Sequence, residues 1–251
     1  YDQLQKWNTK LSMISIAGPG QTGPWKEYRG WGYIFEALYG YGSIIGYPDM
    51  DADGMPVTVP SDPATGVTAV MAAMMALNQR EYTGSGSFID ISLGEVYAAH
   101  MSEHYMDYQM NGRVAERMGN RHRSIIQGAY PCAGDDEWIA ISISTIQQWH
   151  TLCEIMQKDK IEITEAFKTM AELREHHDTV DSILADWAHR YDNYQIFHRL
   201  QAVGIPAGPL VHPELAFADP HLRERNFFVP VEAPEVGEHL YPSTIYKMSK
   251  I

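Results

Sequence analysis

The chain has 251 residues, of which 45% are hydrophobic and 20% charged, and this composition is typical of a globular protein with a sizeable core. Its formal net charge of −13 argues against non-specific binding to nucleic acid or to an anionic membrane surface, because both need a basic face. Cys132 and Cys153 form neither a disulfide framework nor a CxxC metal clip, and no long apolar run predicts a membrane span. We therefore expect a cytoplasmic protein.

The first part of the chain alternates strand-like and helical patterns, which favours an α/β class. Leu11–Ala17 is apolar nearly throughout, as in a strand covered on both faces, and a Gly/Pro loop follows over Gly18–Pro24. The apolar residues from Tyr33 to Tyr41 have helical spacing. Arg29 and Trp31 are therefore expected at a helix entrance.

The stretch around Asp62 is the strongest candidate site. Val57–Val59 reads as a strand that turns into a small-residue helix from Pro63 to about Arg80. Ser61 and Asp62 can each cap this helix, and Pro63 suits the first helical position. Unpaired N–H groups and the helix dipole stabilise an ionised carboxylate at such a position, so Asp62 is available as a nucleophile. A plain helix cap is the alternative interpretation.

Further along, the chain continues to mix the two patterns, and the polar, basic stretch after Arg113 predicts a domain boundary. The expected elements are a turn at 83–86, strands at 88–93, 129–133, 138–143 and 227–231, and helices at 94–110, 145–157, 164–175, 179–190, 193–202 and 213–218.

Three further features allow both a functional and an ordinary interpretation. His100–His104 matches HxxEH, which on one helix places two imidazoles a turn apart, as in one group of zinc peptidases. A third metal ligand is not identifiable, so exposed histidines without a metal are the alternative. The basic tripeptide at Arg121 suits a phosphate contact, and a solvated loop between domains is its alternative. Trp31 beside Arg29 suits a cofactor-lining pair or an aromatic packed on the core.

Eight short features taken together carry a resemblance that no single one carries. In order along the chain they are GPGQTGP, an aromatic helix entrance, DPATG, REYTGSGSFIDISL, RMGNRH, YPCAGDDEWIAI, GIPAGPL and ADPHLRER. This order resembles the family III CoA-transferases, the group that includes formyl-CoA and carnitine CoA-transferases. The resemblance implies that Asp62 is the catalytic acid, and that Arg29 and Trp31 line the site for coenzyme A. Asp90 falls on a second Asp-containing segment and is expected to be structural.

The resemblance also implies an architecture. We expect a large nucleotide-fold-like α/β domain over 1–113, a smaller α+β domain over 114–218 and a return segment over 219–251. Two chains are expected to interlock as a homodimer, or a partner chain is expected to supply missing segments. Known members are longer, so we expect this chain to be a fragment that lacks N-terminal and C-terminal segments.

The chemistry implied by the resemblance is transfer of CoA from an acyl-CoA to a carboxylic acid through an aspartyl anhydride and an aspartyl-CoA thioester. Neither a metal nor a permanently bound cofactor is expected, because CoA enters as a substrate. Racemisation of an α-methylacyl-CoA is an alternative on the same fold. Racemisation requires a His at the position where this chain has Trp31, and a Trp side chain has no titratable proton. A non-catalytic partner subunit is the second alternative.

Overall fold

The computed structural model describes residues 1–51, 53, 58–163 and 167–249. The chain separates into two compact units, the first from Tyr1 to Asn120 and the second from Arg121 onward. Helices and strands occur in both, as expected for a mixed α/β protein. Within the described ranges, no helix combines the length and the apolarity needed to cross a membrane.

The first unit is built on two parallel strands, β1 and β2, paired from Met13 with Phe88 to Ala17 with Ser92. Its strands are β1 (Met13–Ala17) and β2 (Phe88–Ser92), and its helices are α1 (Asp2–Gln5), α2 (Gly32–Leu38), α3 (Tyr41–Ile44), α4 (Ser61–Thr83), α5 (Leu93–His100) and α6 (Ser102–Asn111). Helix α4 packs against both strands and against α5, while α2 packs against α4 and α5. These contacts link the start of α4 to the start of α2 and to the carboxyl end of β1 through neighbouring elements.

Small residues let α4 approach the sheet. Ala76 is buried, and Ala69 and Ala73, which lie on the same helical stripe, are half-buried. The bulky residues of the opposite stripe, including Val70 and Met74, are exposed. In the part of the chain that the structure describes, this apolar face of α4 is therefore exposed.

The second unit holds the main apolar core. Its strands are β3 (Ile126–Pro131), β4 (Trp138–Ile143), β5 (Ala207–Leu210), β6 (Phe228–Ala233) and β7 (Gly237–Pro242), and its helices are α7 (Ile146–Lys158), α8 (Met170–Glu175), α9 (His177–Ala188), α10 (Asn193–Gln201), a 3₁₀ turn (Pro213–Phe217) and α11 (Pro220–Glu224). Strands β3, β4 and β5 form an antiparallel sheet. Trp149, Leu184 and Leu200, from three different helices, are buried together with the isoleucines of this sheet.

Three predictions for the first unit need correction. The strand at 11–17 exists as β1, but it is not covered on both faces, because Ile16 is 51% exposed. The strand predicted at 57–59 is not observed: Thr58 and Val59 lie in no strand, and Val57 lies outside the described residues. Strands β1 and β2 pair with each other, and the chain after Val59 turns directly into α4. The helix predicted over 94–110 is two helices, because the backbone at Met101 leaves the helical region with φ −100° and ψ 15°.

In the second unit the predicted order of elements is confirmed, with shifted bounds. The first strand begins at Ile126 instead of 129, because Ile126 pairs with Ile143 across the sheet. Part of the GIPAGPL segment is strand β5, which the turn-like sequence did not predict, and β7 was not expected either. Of the helix predicted over 164–175, residues 164–166 lie outside the described residues and α8 begins at Met170. The return of 219–251 toward the first unit stays a prediction.

Candidate functional site

Asp62 lies in the first turn of α4 and its side chain is exposed. The helix begins at Ser61 with Pro60 at the N-cap position, so Pro63 is the third helical residue and not the first. Among the described residues no side chain makes a capping hydrogen bond at this helix start, and the expected capping by Ser61 or Asp62 is therefore wrong. The Asp62 carboxylate is accessible at the positive end of the dipole of a helix of 23 residues.

The start of α4 is held by a buried acid on α2. Glu36 is only 2% exposed, and its Oε1 accepts a hydrogen bond of 2.9 Å from the backbone N–H of Ser61. Thr65, also buried, donates from its hydroxyl to the Ser61 carbonyl at 2.7 Å. Both bonds fix the residue directly before Asp62.

The beginning of α2 lies directly against Asp62. A Cβ atom placed on Gly32 would lie 2.6 Å from Asp62 Oδ1 and 2.4 Å from Val59 Cγ1, so a side chain there would force these two side chains to move. Trp31 is the N-cap residue of α2, immediately before Gly32, and it is 76% exposed. The expected helix entrance is therefore confirmed, and it brings Trp31 next to the residue that contacts Asp62. Arg29 is exposed on the same segment.

The Gly/Pro loop after β1 is fixed to the same group of elements. The ring of Phe35, on α2, packs directly on Gly18, and the Gly18 carbonyl accepts from the backbone N–H of Gly94 at 3.1 Å. Asp90, on β2, accepts a hydrogen bond of 2.8 Å from the backbone N–H of Gln21. This bond links Asp90 to the loop, and a structural role for Asp90 stays a prediction.

Arg121 belongs to the second unit, and its guanidinium is already paired. It lies 2.5 Å from Asp178 Oδ1 and 2.6 Å from Asp181 Oδ2. Burial lowers the pKa of Arg121, but hydrogen bonds to both carboxylates outweigh this effect and raise it. Asp181 also accepts a hydrogen bond from the Tyr130 hydroxyl at 2.8 Å. Two carboxylates around one guanidinium weigh against a phosphate contact, which stays a prediction.

The HxxEH motif does not form a metal site among the described residues, where no group of three potential ligands is found. His100 ends α5 while His104 lies on α6, so the two imidazoles do not share one continuous helix. His100 Nδ1 instead contacts the Val96 carbonyl at 2.8 Å. The break at Met101 removes the geometry on which the zinc interpretation depended.

Comparison with known proteins identifies the family. The model of CoA-transferase family III matches residues 1–251. The chain belongs to CoA-transferase family III. It is 29% identical over 250 residues to a succinyl-CoA–D-citramalate CoA-transferase of Chloroflexus aurantiacus, covering 99% of this chain and 62% of that protein. It is 28% identical to the human succinyl-CoA:glutarate CoA-transferase, covering 100% of this chain and 57% of the relative.

Solved structures agree on the fold of this family III chain. A CaiB/BaiF family protein from Brucella suis matches with a TM-score of 0.78 at 24% identity, covering 96% of this chain and 66% of that one. Rv3272 from Mycobacterium tuberculosis matches with a TM-score of 0.80 at 17% identity, covering 99% and 65%. The expected fold is confirmed. The chain spans about three fifths of the length of the curated relatives, 62% for two of them and 58% for a third.

Sequence reasoning missed two residues that surround Asp62, namely Gly32 and Glu36. The signal for Glu36 was a single acid inside the apolar stretch YIFEALYGY, which a buried, hydrogen-bonded carboxyl explains. Gly32 had no signal beyond being a glycine at a helix start. Its role depends on how close α2 comes to α4, which a sequence pattern does not give.

Proposed function

We propose that this chain carries the nucleophile of an acyl-CoA:carboxylate CoA-transferase, and that Asp62 is that nucleophile. One observation carries the proposal: in a chain of CoA-transferase family III, the acid of the DPATG motif is an exposed carboxylate in the first turn of α4. Because the matched relatives are longer than this chain, the proposal concerns the whole protein to which the chain contributes.

The reaction proceeds by exchange at carbonyl carbons. An Asp62 oxygen attacks the thioester carbon of the donor, the C–S bond breaks, and CoA thiolate leaves a mixed anhydride behind. The thiolate then attacks the Asp62 carbonyl carbon, which releases the donor acid as a carboxylate and leaves an aspartyl-CoA thioester. The acceptor carboxylate repeats both steps in reverse order, leaves as its CoA ester, and regenerates Asp62. Each step replaces one anion by another, so no net proton transfer is needed.

Backbone N–H groups near Asp62 are suited to stabilise the oxyanions of this sequence. At the start of α4 the Ser61 N–H is bonded to Glu36 and Pro63 has no N–H, so among the first three helical residues the Asp62 N–H is the one without a partner in the described part of the chain. The loop Gly18–Gly23 is the second candidate, since Phe35 fixes it to the helix that contacts Asp62.

Arg29 and Trp31 are proposed to line the site for acyl-CoA. Arg29 is an exposed cation on the segment that leads into α2, and Trp31 offers an exposed aromatic surface beside Gly32. Trp31 has no titratable proton, which favours transfer over the racemase alternative. Matched relatives are named for succinyl-CoA with citramalate or glutarate, so we propose short dicarboxylic acids as the first substrates to test.

The exposed apolar face of α4 supports the expectation that another polypeptide segment or chain covers this face in the complete enzyme. Val67 and Met74, for example, are 73% and 63% exposed, and apolar patches of this kind mark interfaces. An interlocked homodimer or a partner chain is therefore part of the proposal, as are the cytoplasmic location and the covalent aspartyl intermediate. Two matched chains are named as the alpha and beta subunits of one malate CoA-transferase.

Chemical trapping tests the proposal. The complete protein is incubated with succinyl-CoA and hydroxylamine, and peptide mass spectrometry locates any hydroxamate. We expect the modification at Asp62, because hydroxylamine captures an activated aspartyl carbonyl. Glu81→Gln is the matched control, since it removes a carboxylate from the same helix about 28 Å along its axis. Absence of a hydroxamate at Asp62, with exchange activity present, would contradict the proposal.

A further inference from the structure

Helix α2 presents two residues to the start of α4 from one face. Gly32 and Glu36 are four positions apart, which places them one above the other along a helix. Gly32 contacts Asp62 itself, and Glu36 accepts the N–H of the preceding residue, Ser61, at 2.9 Å. The carboxylate and its backbone are thus both held from the same side.

The Glu36 contact is a directional one. A buried carboxyl group is costly unless it is hydrogen-bonded, and within the described residues the Ser61 N–H is the one hydrogen-bond donor to Glu36. That N–H is also one of the groups that a helix start leaves without an intrahelical partner. The bond therefore gives both groups a partner, and it sets the position of the first residue of α4 relative to α2.

The absence of a side chain at Gly32 leaves space that the Asp62 side chain occupies. A Cβ atom at position 32 would lie only 2.6 Å from Asp62 Oδ1, which is too close for both atoms to keep their places. Ser61 Oγ, which is buried and has no hydrogen-bond partner among the described residues, would lie 3.0 Å from the same Cβ position. The glycine thus brings the carboxylate against the segment that carries Trp31.

We propose that Glu36 and Gly32 are positioning residues that hold the Asp62 carboxylate at the distance and angle needed to attack a thioester; this rests on the proposed role of Asp62 as nucleophile. Their effect is exerted through the backbone of Ser61 and through close approach, not through contact with substrate. Displacing a reacting group by about 1 Å costs on the order of a hundredfold in rate, so a shift of α4 by one methylene length is measurable.

Two conservative substitutions separate reach from charge. Glu36→Gln keeps the length and an acceptor oxygen, whereas Glu36→Asp keeps the charge and withdraws the acceptor by one methylene. In the complete protein, we expect Glu36→Gln to keep kcat within roughly threefold, and Glu36→Asp to lower kcat roughly tenfold to a hundredfold with KM unchanged. Glu172→Asp is the matched control, because Glu172 accepts the Lys168 N–H at 2.7 Å in the second unit. Gly32→Ala should lower kcat in the same way as Glu36→Asp, and Gly208→Ala, where an added Cβ meets nothing, is its control.

The outcomes divide the possibilities. If Glu36→Gln loses activity while Glu36→Asp keeps it, the charge matters instead of the reach, and the inference is overturned. If both variants retain wild-type kcat per folded molecule, Glu36 does not position Asp62. The rate of hydroxamate formation at Asp62 in the unmodified protein is measured alongside: its absence refutes the proposed nucleophile, whereas its presence with an unaffected Glu36→Asp variant refutes the positioning role alone.

Discussion

Replacing Asp62 by asparagine separates the structural role of this residue from its chemical one. Asparagine keeps the size of the side chain and one acceptor oxygen, and it removes the negative charge. Asp62 is exposed in the first turn of α4, so the lost attraction to the helix dipole amounts to at most about 1 kcal/mol. The bond from the Ser61 N–H to Glu36 is untouched, and it continues to hold the helix start. For a chain of this size we expect the melting temperature to fall by no more than about 4 °C.

The expected loss of activity is far larger. An amide does not replace a carboxylate as the nucleophile, so the covalent route through Asp62 is closed. A fall of at least about a thousandfold in rate corresponds to roughly 4 kcal/mol of lost transition-state stabilisation, several times the expected change in stability. The assay measures CoA exchange between succinyl-CoA and an isotopically labelled dicarboxylate, with thermal unfolding of the same samples. If Asp62→Asn retains more than about 1% of the exchange rate at a native melting temperature, Asp62 is not the nucleophile.

Three further predictions follow from other parts of the chain. Trp31→Ala should change the preference among acyl-CoA substrates without lowering the melting temperature, because the ring is 76% exposed; an unchanged substrate profile would remove Trp31 from the site. The isolated 251-residue chain should bind CoA weakly or not at all in calorimetry, because its net charge of −13 repels the phosphates, and micromolar or tighter affinity would contradict this. Burial lowers the pKa of His177, while Asp181 and Asp178 raise it less. The unfolded chain therefore binds more protons, and the free energy of unfolding should fall as the pH drops below about 6.5. Urea titrations at several pH values should show that the free energy of unfolding of His177→Gln falls less steeply with decreasing pH. The same pH dependence in both proteins would exclude His177 as the cause.

The sequence by itself determined the order of most elements and the family. The run from Leu11 to Ala17 and the run from Phe88 onward are β strands because branched apolar residues recur there, and both appear in the structure. The acid, the proline and the run of small residues around Asp62 predicted a helix start, and α4 does begin here, although two residues before Pro63 and without the expected side-chain cap. These signals are local, and neighbouring residues suffice to produce them.

Local signals failed where a backbone conformation depended on distant partners. Thr58 and Val59 have β-branched side chains, but the strand β1 pairs with β2, and they form no strand. Ala207–Leu210 looks like a turn because of its glycine and proline, yet it forms a strand by pairing with β4. Strand formation requires a hydrogen-bonding neighbour, which the sequence of one segment does not contain.

The surroundings of Asp62 were decided only by tertiary structure. Glu36 lies 25 positions before Ser61 in the chain, and the hydrogen bond between them exists because α2 packs across the start of α4. A Cβ at Gly32 would lie 2.6 Å from Asp62 Oδ1, so a larger residue there would displace the Asp62 side chain. The sequence predicts which group reacts, since that prediction rests on one side chain and its helix. Where the group is held depends on packing between helices, and packing is a property of the folded chain.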